Sequence, residues 1–469
     1  MIWTRLDCFR ILGRMKGNTY DTKDTIFALA TPWGSSALAV IRVSGHGCIA
    51  MLEQIFSRPA ALSKSPSHTL VHGMLLDAST KKPLDEVVLA VFLDGRGYTG
   101  EASVEISCHG SLAGIEAIFR ALKEVGMRPA APGEFTFRAF MHGRMDLTQA
   151  EAVMEVVSSQ SQLAHSLALG RLEGNLFSLI EEIKQQVLQV MSLVEVQLDY
   201  AEDEIAEDVD FPFAAVERAN QRIETLLSTY ATGKLYGEGA KVVLAGATNA
   251  GKSTLFNLLL KEDRSIVSDI HGTTRDFIES KTVLDGIPIR LYDTAGLRES
   301  IDVVEQEGMR RTHRLLEEAD LILLLLDGTE HDEQSIDLHG DLISDPRCIT
   351  VWNKTDLSSR APRAGSFPLS AKRGEGFKAL RGEMLKRLRQ ESQRPDGQDV
   401  VIESARQYNE LIRAREALKK VLELAHLAVP LDIIAVEMGE ALDALGSLTG
   451  EVASSDILEK IFSGFCVGK

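Results

Sequence analysis

Cysteine is scarce and scattered. There are five, Cys8, Cys48, Cys108, Cys348 and Cys466, with no C-x-x-C pair among them. An odd count at wide spacing excludes a zinc ribbon, argues against a disulfide framework, and points to a reducing cytoplasmic setting. Long apolar runs are lacking too: the longest, Leu321 to Leu326, is far too short to cross a bilayer, so no membrane partner is expected. Basic charge is in deficit, with 51 Lys and Arg against 68 Asp and Glu, a net −17. That excess argues against a chain held to nucleic acid by a diffuse basic surface, while leaving room for a local basic site or a partner that supplies one. What remains is ordinary for a globular protein, 44% apolar and 25% charged. The 469 residues suggest roughly three domains and can bury a core that needs no disulfide or metal staple.

Residues 1–23 are basic with scattered apolar positions and read as an extension outside the folded chain. A transit-like peptide, or a true start at Met15, are the other readings; there is no signal-peptide apolar core. Residues 24–143 mix strand-like runs, Thr25 to Ala30, Leu38 to Gly45 and Val87 to Asp94, with a helix from Leu112 to Val125, which suggests an α+β domain. From Leu147 the apolar residues recur at three-and-four spacing in a run of long helices. This run ends in the acidic stretch Ala201 to Asp210, read as a solvated loop, and a second helix follows over 214–231. Gly-rich Gly233 to Ala240 reads as a linker. Beyond it, KVVLA, IRLYDT, LILLLLD and CITVWNK alternate with helical segments, the pattern of a parallel α/β sheet. Glu391 to Asp399 reads as a second linker, and the rest is helical. The simplest organisation is a helical domain, 144–235 and 395–469, into which an α/β domain, 236–394, is inserted.

Four motifs in the α/β segment carry chemistry. GATNAGKS, Gly246 to Ser253, matches G-x-x-x-x-G-K-[ST] between a predicted strand and a predicted helix from Thr254. Its backbone N–H groups, from Asn249, Ala250, Gly251 and on to Thr254, would cradle phosphates. Lys252 would reach the β- and γ-phosphates, and Ser253 would bind magnesium. DTAG, Asp293, Thr294, Ala295 and Gly296, ends a strand where an Asp can hold magnesium and the Gly296 N–H can touch the γ-phosphate. NKTD follows the strand CITVW, with Asn353, Lys354 and Asp356. A carboxylate there accepts the two hydrogen bonds that guanine donates and adenine does not. Ser370-Ala371-Lys372 could meet the guanine O6. Taken singly DTAG and SAK are weak; in this order in one α/β segment the four define a Ras-like GTP-binding domain. GTTRD, Gly272 to Asp276, occupies the first switch position, where Thr273 or Thr274 would meet magnesium.

One expected residue is absent. Ras-type enzymes carry a water-orienting Gln after the DTAG-like motif; here the position is Leu297. Either hydrolysis is slow or another residue acts. Arg275 and Arg298 lie in the switch segments, and are equally readable as surface arginines.

At this point the chain resembles a known family. NAGKST, GTTRD, DTAGLRE, the terminal FCVGK and the N-terminal stretches ATPWG…AVIRVSG, YTGEASVEISCHG and PGEFTFRAFMHGRMDLTQAEAV resemble the bacterial MnmE (TrmE) family of tRNA modification GTPases, from about Asp24 to Lys469. The resemblance implies a homodimer built through a tetrahydrofolate-binding-like domain, 24–143. It also implies an FAD-dependent partner protein, tRNA as substrate, and a one-carbon unit from a methylene- or 5-formyl-tetrahydrofolate. The product would be a carboxymethylaminomethyl or aminomethyl group on the 5-position of a wobble uridine. It further implies a potassium site on Asn249 and the backbone of Ser268, Ile270 and Thr273, where a cation would stand in for an arginine finger. Thr274 would be the second magnesium ligand, and Glu305 would orient water in place of Leu297, although by itself Glu305 reads as a solvated helix residue. Arg42, Glu105, Arg144 and Lys469 fall on folate positions, Arg144 where Lys is usual, a change of shape but not of charge. Cys466 matches a near-terminal cysteine, a candidate nucleophile or a small buried residue. The competing reading is a GTP-controlled ribosome-assembly factor; the N-terminal domain and the terminal C-x-G-K speak against it. Asn353 and Asp356 argue against an ATPase.

Overall fold

The structure, a computed structural model, describes residues 22–199, 211–262, 279–293, 314–329, 342–389, 394–397 and 399–468. Among them two compact units separate. One comprises the described residues of 1–154, 171–219 and 413–469; the other comprises those of 155–170 and 220–412.

The first unit begins with β1 (Ile26–Leu29), β2 (Ser36–Ser44), the short helices α1 (Cys48–Glu53) and α2 (Pro59–Ser63), β3 (Thr69–Leu76), β4 (Pro83–Phe92), β5 (Ser103–Gly110), α3 (Leu112–Glu124), β6 (Arg128–Pro129) and α4 (Glu134–Met141). The strands form one sheet in the order β3-β4-β5-β2-β1-β6, antiparallel except for the parallel pair β1–β6. Alternation in β4 and β5 puts Val87, Leu89, Val91, Val104, Ile106 and Cys108 into the core. α3 is capped by the Ser111 hydroxyl, which accepts from the Gly114 N–H, and buries Ile115, Ile118, Ala121 and Leu122 on one stripe.

Helices follow: α5 (Leu147–Ser158), α6 (Gln162–Leu172), α7 (Asn175–Asp199), α8 (Phe213–Ser228) and α9 (Tyr230–Gly237), then α10 (Lys252–Glu262) within the second sheet's segment, and beyond that sheet α11 (Phe377–Arg389), α12 (Ala405–His426), α13 (Leu431–Thr449) and α14 (Ser455–Ser463). In the first unit α7 packs on α13, tied by Lys184 to Glu451 at 2.5 Å. α14 and the tail after it dock on α4 through Phe137, Phe462 and Phe465. Close approach explains a glycine here: a Cβ on Gly468, whose φ is 97°, would lie 2.5 Å from the Leu29 carbonyl oxygen.

The second unit holds β7 (Ala240–Gly246), α10 (Lys252–Glu262), β8 (Glu279–Leu284), β9 (Ile287–Asp293), β10 (Leu321–Asp327), β11 (Cys348–Asn353) and β12 (Phe367–Pro368). Their order is β12-β11-β10-β7-β9-β8, parallel except for the β8–β9 hairpin. Every residue of β10 is buried, as a central parallel strand covered on both faces requires. The chain is thus multi-domain: an α+β N-terminal domain, helices, and an inserted α/β domain of Ras-like order.

One expectation changes. Gly233 to Ala240 is not an open linker, since α9 runs through Gly237. Its glycines serve contact, not freedom. A Cβ on Gly233 would lie 2.1 Å from the Ile402 carbonyl oxygen, and one on Gly237 would lie 1.9 Å from the Glu403 carboxyl. Glycines four apart clear one helix face for that segment.

Candidate functional site

The loop between β7 and α10 is bent by three residues of positive φ: Gly246 at 132°, Asn249 at 67° and Gly251 at 97°. Such turns aim successive N–H groups into one concavity at a helix N-terminus, an anion nest. Lys252 is buried, and its ammonium donates to the carbonyls of Gly246 and Ala247 at 2.9 and 2.8 Å. Asn249, Ser253 and Thr254 are exposed, and Ala250 is buried. The Ser253 hydroxyl donates to the Asp293 carboxylate at the end of β9, 3.1 Å away. This hydroxyl and carboxylate are hard oxygen donors of the kind that would suit a magnesium ion.

Asn353 is 2% exposed and acts as a cross-pin. Its amide donates to the Ala250 carbonyl at 2.8 Å, and its Oδ1 accepts from the Ala371 N–H at 3.0 Å. It thereby joins the phosphate loop to the SAK loop. Gly251 has no room for more, since a Cβ there would lie 2.2 Å from the same amide. Asp356 accepts from the Ser370 hydroxyl at 2.7 Å, with Arg373 3.8 Å away. The hydrogen bond from Ser370 holds its carboxyl below the usual carboxylate range, which favours the ionised form, an acceptor at both oxygens. Sequence reasoning did not single out Asp327. At the end of β10 it receives the Lys354 ammonium at 2.5 Å. Burial works against its charge, but the bonds from Lys354 and Thr329 leave its pKa lowered. The signal was an acid closing an otherwise wholly apolar strand.

A second polar site lies on the N-terminal sheet. Arg42 and Glu105 face each other in the β2–β5 register. The guanidinium donates through Nε and Nη2 to one carboxylate oxygen, Oε1, at 3.1 and 2.8 Å. Its Nη1 reaches the Gly468 carbonyl at 3.4 Å. Tyr98 and Phe135 rings lie 5.2 and 5.8 Å from it. Arg144 is exposed, with its side chain against Gly100 in the turn that carries Tyr98. Cys466 is exposed, so the reading as a small buried residue falls; its carbonyl lies 3.5 Å from the Gly133 N–H, close to α4. Ser268, Ile270, Thr273, Thr274, Thr294, Ala295, Gly296, Glu305 and Lys469 lie outside the described residues, as do Arg275, Leu297 and Arg298. Among the described residues no group of three or more His, Cys, Asp or Glu could hold a metal, and no helix is long and apolar enough to cross a membrane.

A parallel sheet that ends in a glycine-bent phosphate loop, with the Asn353 pin and Asp356 beside it, is the architecture of the P-loop GTPase class. The comparisons carry this further. A family model described as the MnmE helical domain matches residues 147–466, more than half of the chain, and one described as the GTP-binding protein TrmE N-terminus matches 25–144. A Treponema denticola protein named tRNA modification GTPase MnmE is 41% identical over 97% of this chain and 100% of its own. One of the same name from Borrelia recurrentis is 39% identical over 96% and 99%. The G domain of the T. maritima FeoB iron transporter aligns with 32% of this chain and 98% of its own, at 26% identity and a TM-score of 0.25. The chain belongs to the MnmE (TrmE) family.

Proposed function

We propose that this chain is the GTP-hydrolysing subunit of a tRNA-modifying complex. Family membership over nearly the whole length supports the tRNA reading, as the curated relatives are named tRNA modification GTPases. The observation that carries the nucleotide reading is the Asn353 pin between the phosphate loop and the SAK loop, with Asp356 set by Ser370. The loop N–H groups from Asn249 to Thr254 and the Lys252 ammonium bind the triphosphate, and Asp356 reads guanine. Ser253, Asp293 and Thr274 hold magnesium, which when bound neutralises charge on the β- and γ-phosphates. Asn249 with the backbone of Ser268, Ile270 and Thr273 holds potassium, and Glu305 orients the attacking water. The remaining contacts come from Thr294, Ala295, Gly296, Lys354 and Ala371.

The N-terminal domain, 24–143, forms the homodimer and takes a tetrahydrofolate one-carbon donor on Arg42, Glu105, Arg144 and Lys469. Both bonds from Arg42 fall on Oε1 of Glu105, so Oε2 can accept N–H groups of a pterin ring. The helical domain, 144–235 and 395–469, carries the G domain, 236–394. With an FAD-dependent partner in the cytoplasm the complex places a carboxymethylaminomethyl or aminomethyl group on the 5-position of a wobble uridine, and Cys466 takes part. The test is nucleoside mass spectrometry of bulk tRNA from cells lacking the gene and from complemented cells. Loss of the 5-substituted uridine, restored by wild type, is expected. Unchanged tRNA would leave a GTPase with another task.

A further inference from the structure

Arg42 is held by more than its ion pair. The Tyr98 ring comes from the turn between β4 and β5, and the Phe135 ring from α4. One bond ties these two walls together. The Tyr98 hydroxyl lies 2.9 Å from Oγ1 of Thr136, a fully buried residue next to Phe135. A second tie lies two residues further along α4. Fully buried Arg138 donates to both carboxylate oxygens of Glu101 at 3.3 Å, and to the Asp24 carbonyl and carboxylate at 2.8 and 2.7 Å. Glu101 closes the turn that carries Tyr98, and accepts from the Ser44 hydroxyl at 2.9 Å. Ser44 is two residues from Arg42 on β2, hence on the same face. The turn, α4 and β2 are therefore cross-linked around one guanidinium.

A guanidinium is planar, and what it can offer a ligand depends on the orientation of that plane. Aromatic rings set it by cation–π contact. We propose that Tyr98 and Thr136 are positioning residues for the Arg42–Glu105 site, with the Arg138–Glu101 ion pair holding their turn and helix in register. The Tyr98–Thr136 bond fixes the ring, the ring fixes the Arg42 plane, and the plane fixes how a tetrahydrofolate-type ligand is met. This rests on the folate reading of that site.

The experiment uses the full-length chain and 5-formyltetrahydrofolate as the probe, with calorimetric affinity, melting temperature and GTP hydrolysis measured together. Thr136→Val keeps the shape and removes the hydroxyl; Thr136→Ser keeps the hydroxyl; Tyr98→Phe keeps the ring. Loss of about tenfold in affinity is expected for Thr136→Val and for Tyr98→Phe, the effect of one hydrogen bond. Thr136→Ser should return to near the wild-type value, and GTP hydrolysis should be unchanged throughout. A merely structural role would not produce rescue by Ser. Wild-type affinity in Thr136→Val, or equal loss in Val and Ser, overturns the positioning role. No binding by the wild type overturns the folate reading itself, and the proposal with it.

Discussion

On the proposed reading Asp356 decides which base the site takes, and its chemistry can be inverted by one atom pair. A carboxylate accepts from both guanine donors; an amide presents a donor where guanine also donates. Asp356→Asn should therefore weaken GTP by about 10⁴-fold, the scale on which a site built for hydrogen bonds rejects a mismatched partner. Xanthosine triphosphate, with an acceptor at that position, should bind the variant better than GTP does. Titration with fluorescent analogues of both nucleotides checks this, and an unchanged preference would remove Asp356 from base recognition. The cysteines separate by burial in the same local way. Burial pushes the Cys48 thiol up to about 12 and those of Cys108 and Cys348 to about 11, so at neutral pH they carry almost no thiolate. Cys466 is exposed. Brief alkylation of the native chain near pH 7.5, read by peptide mass spectrometry, should label Cys466 and leave those three unmodified until the chain unfolds.

The elements were unevenly legible in the sequence, and the reason is physical. β7, β10 and β11 are buried on both faces, so they stand out as short apolar runs. β3 and β5 each keep polar or exposed positions among their buried ones, His72 and His109 among them, and their composition hides them. The phosphate loop and NKTD were legible because their chemistry is contiguous in sequence. The Asn353 pin and the ring walls of Arg42 were not, because each joins segments far apart in the chain. Two tests belong to these junctions. Gly468→Ala places a Cβ at 2.5 Å from the Leu29 carbonyl at a φ of 97°, and should cost roughly 1–3 kcal/mol in a denaturant melt. It should also loosen the tail after α14, seen as faster carboxypeptidase trimming. The second test is pH. Asp24 joins the strand start to α4 through Arg128 and Arg138. Burial raises its pKa, but the bonds from the two arginines leave it lowered from 3.8. A carboxyl depressed in the folded state stabilises fully above its unfolded value and loses that contribution as pH falls through the folded one. The melting-temperature gap between wild type and Asp24→Asn should thus hold at pH values well above 3.8 and close as pH falls below 3.8 through the lowered folded value.

At the scale of the whole molecule the governing quantity is charge. The chain is at −17, and tRNA is a polyanion, yet the family is named for modifying tRNA. Affinity for phosphates comes from Lys and Arg that release counterions, and each such contact steepens the fall of binding with salt. A chain with 68 acids against 51 bases repels a polyanion at long range, so on the proposed reading the phosphate contacts come mostly from the partner protein. The chain alone should therefore bind tRNA at least about 100-fold more weakly than the complex near 150 mM salt, with a shallow slope of log affinity against log salt. Fluorescence anisotropy with labelled tRNA, over a salt series and with and without the partner, measures both quantities. Equal affinity for chain and complex, with a steep slope for the chain alone, would place the phosphate-binding surface on this subunit in spite of its net charge. The partner would then be needed for the chemistry and not for capture.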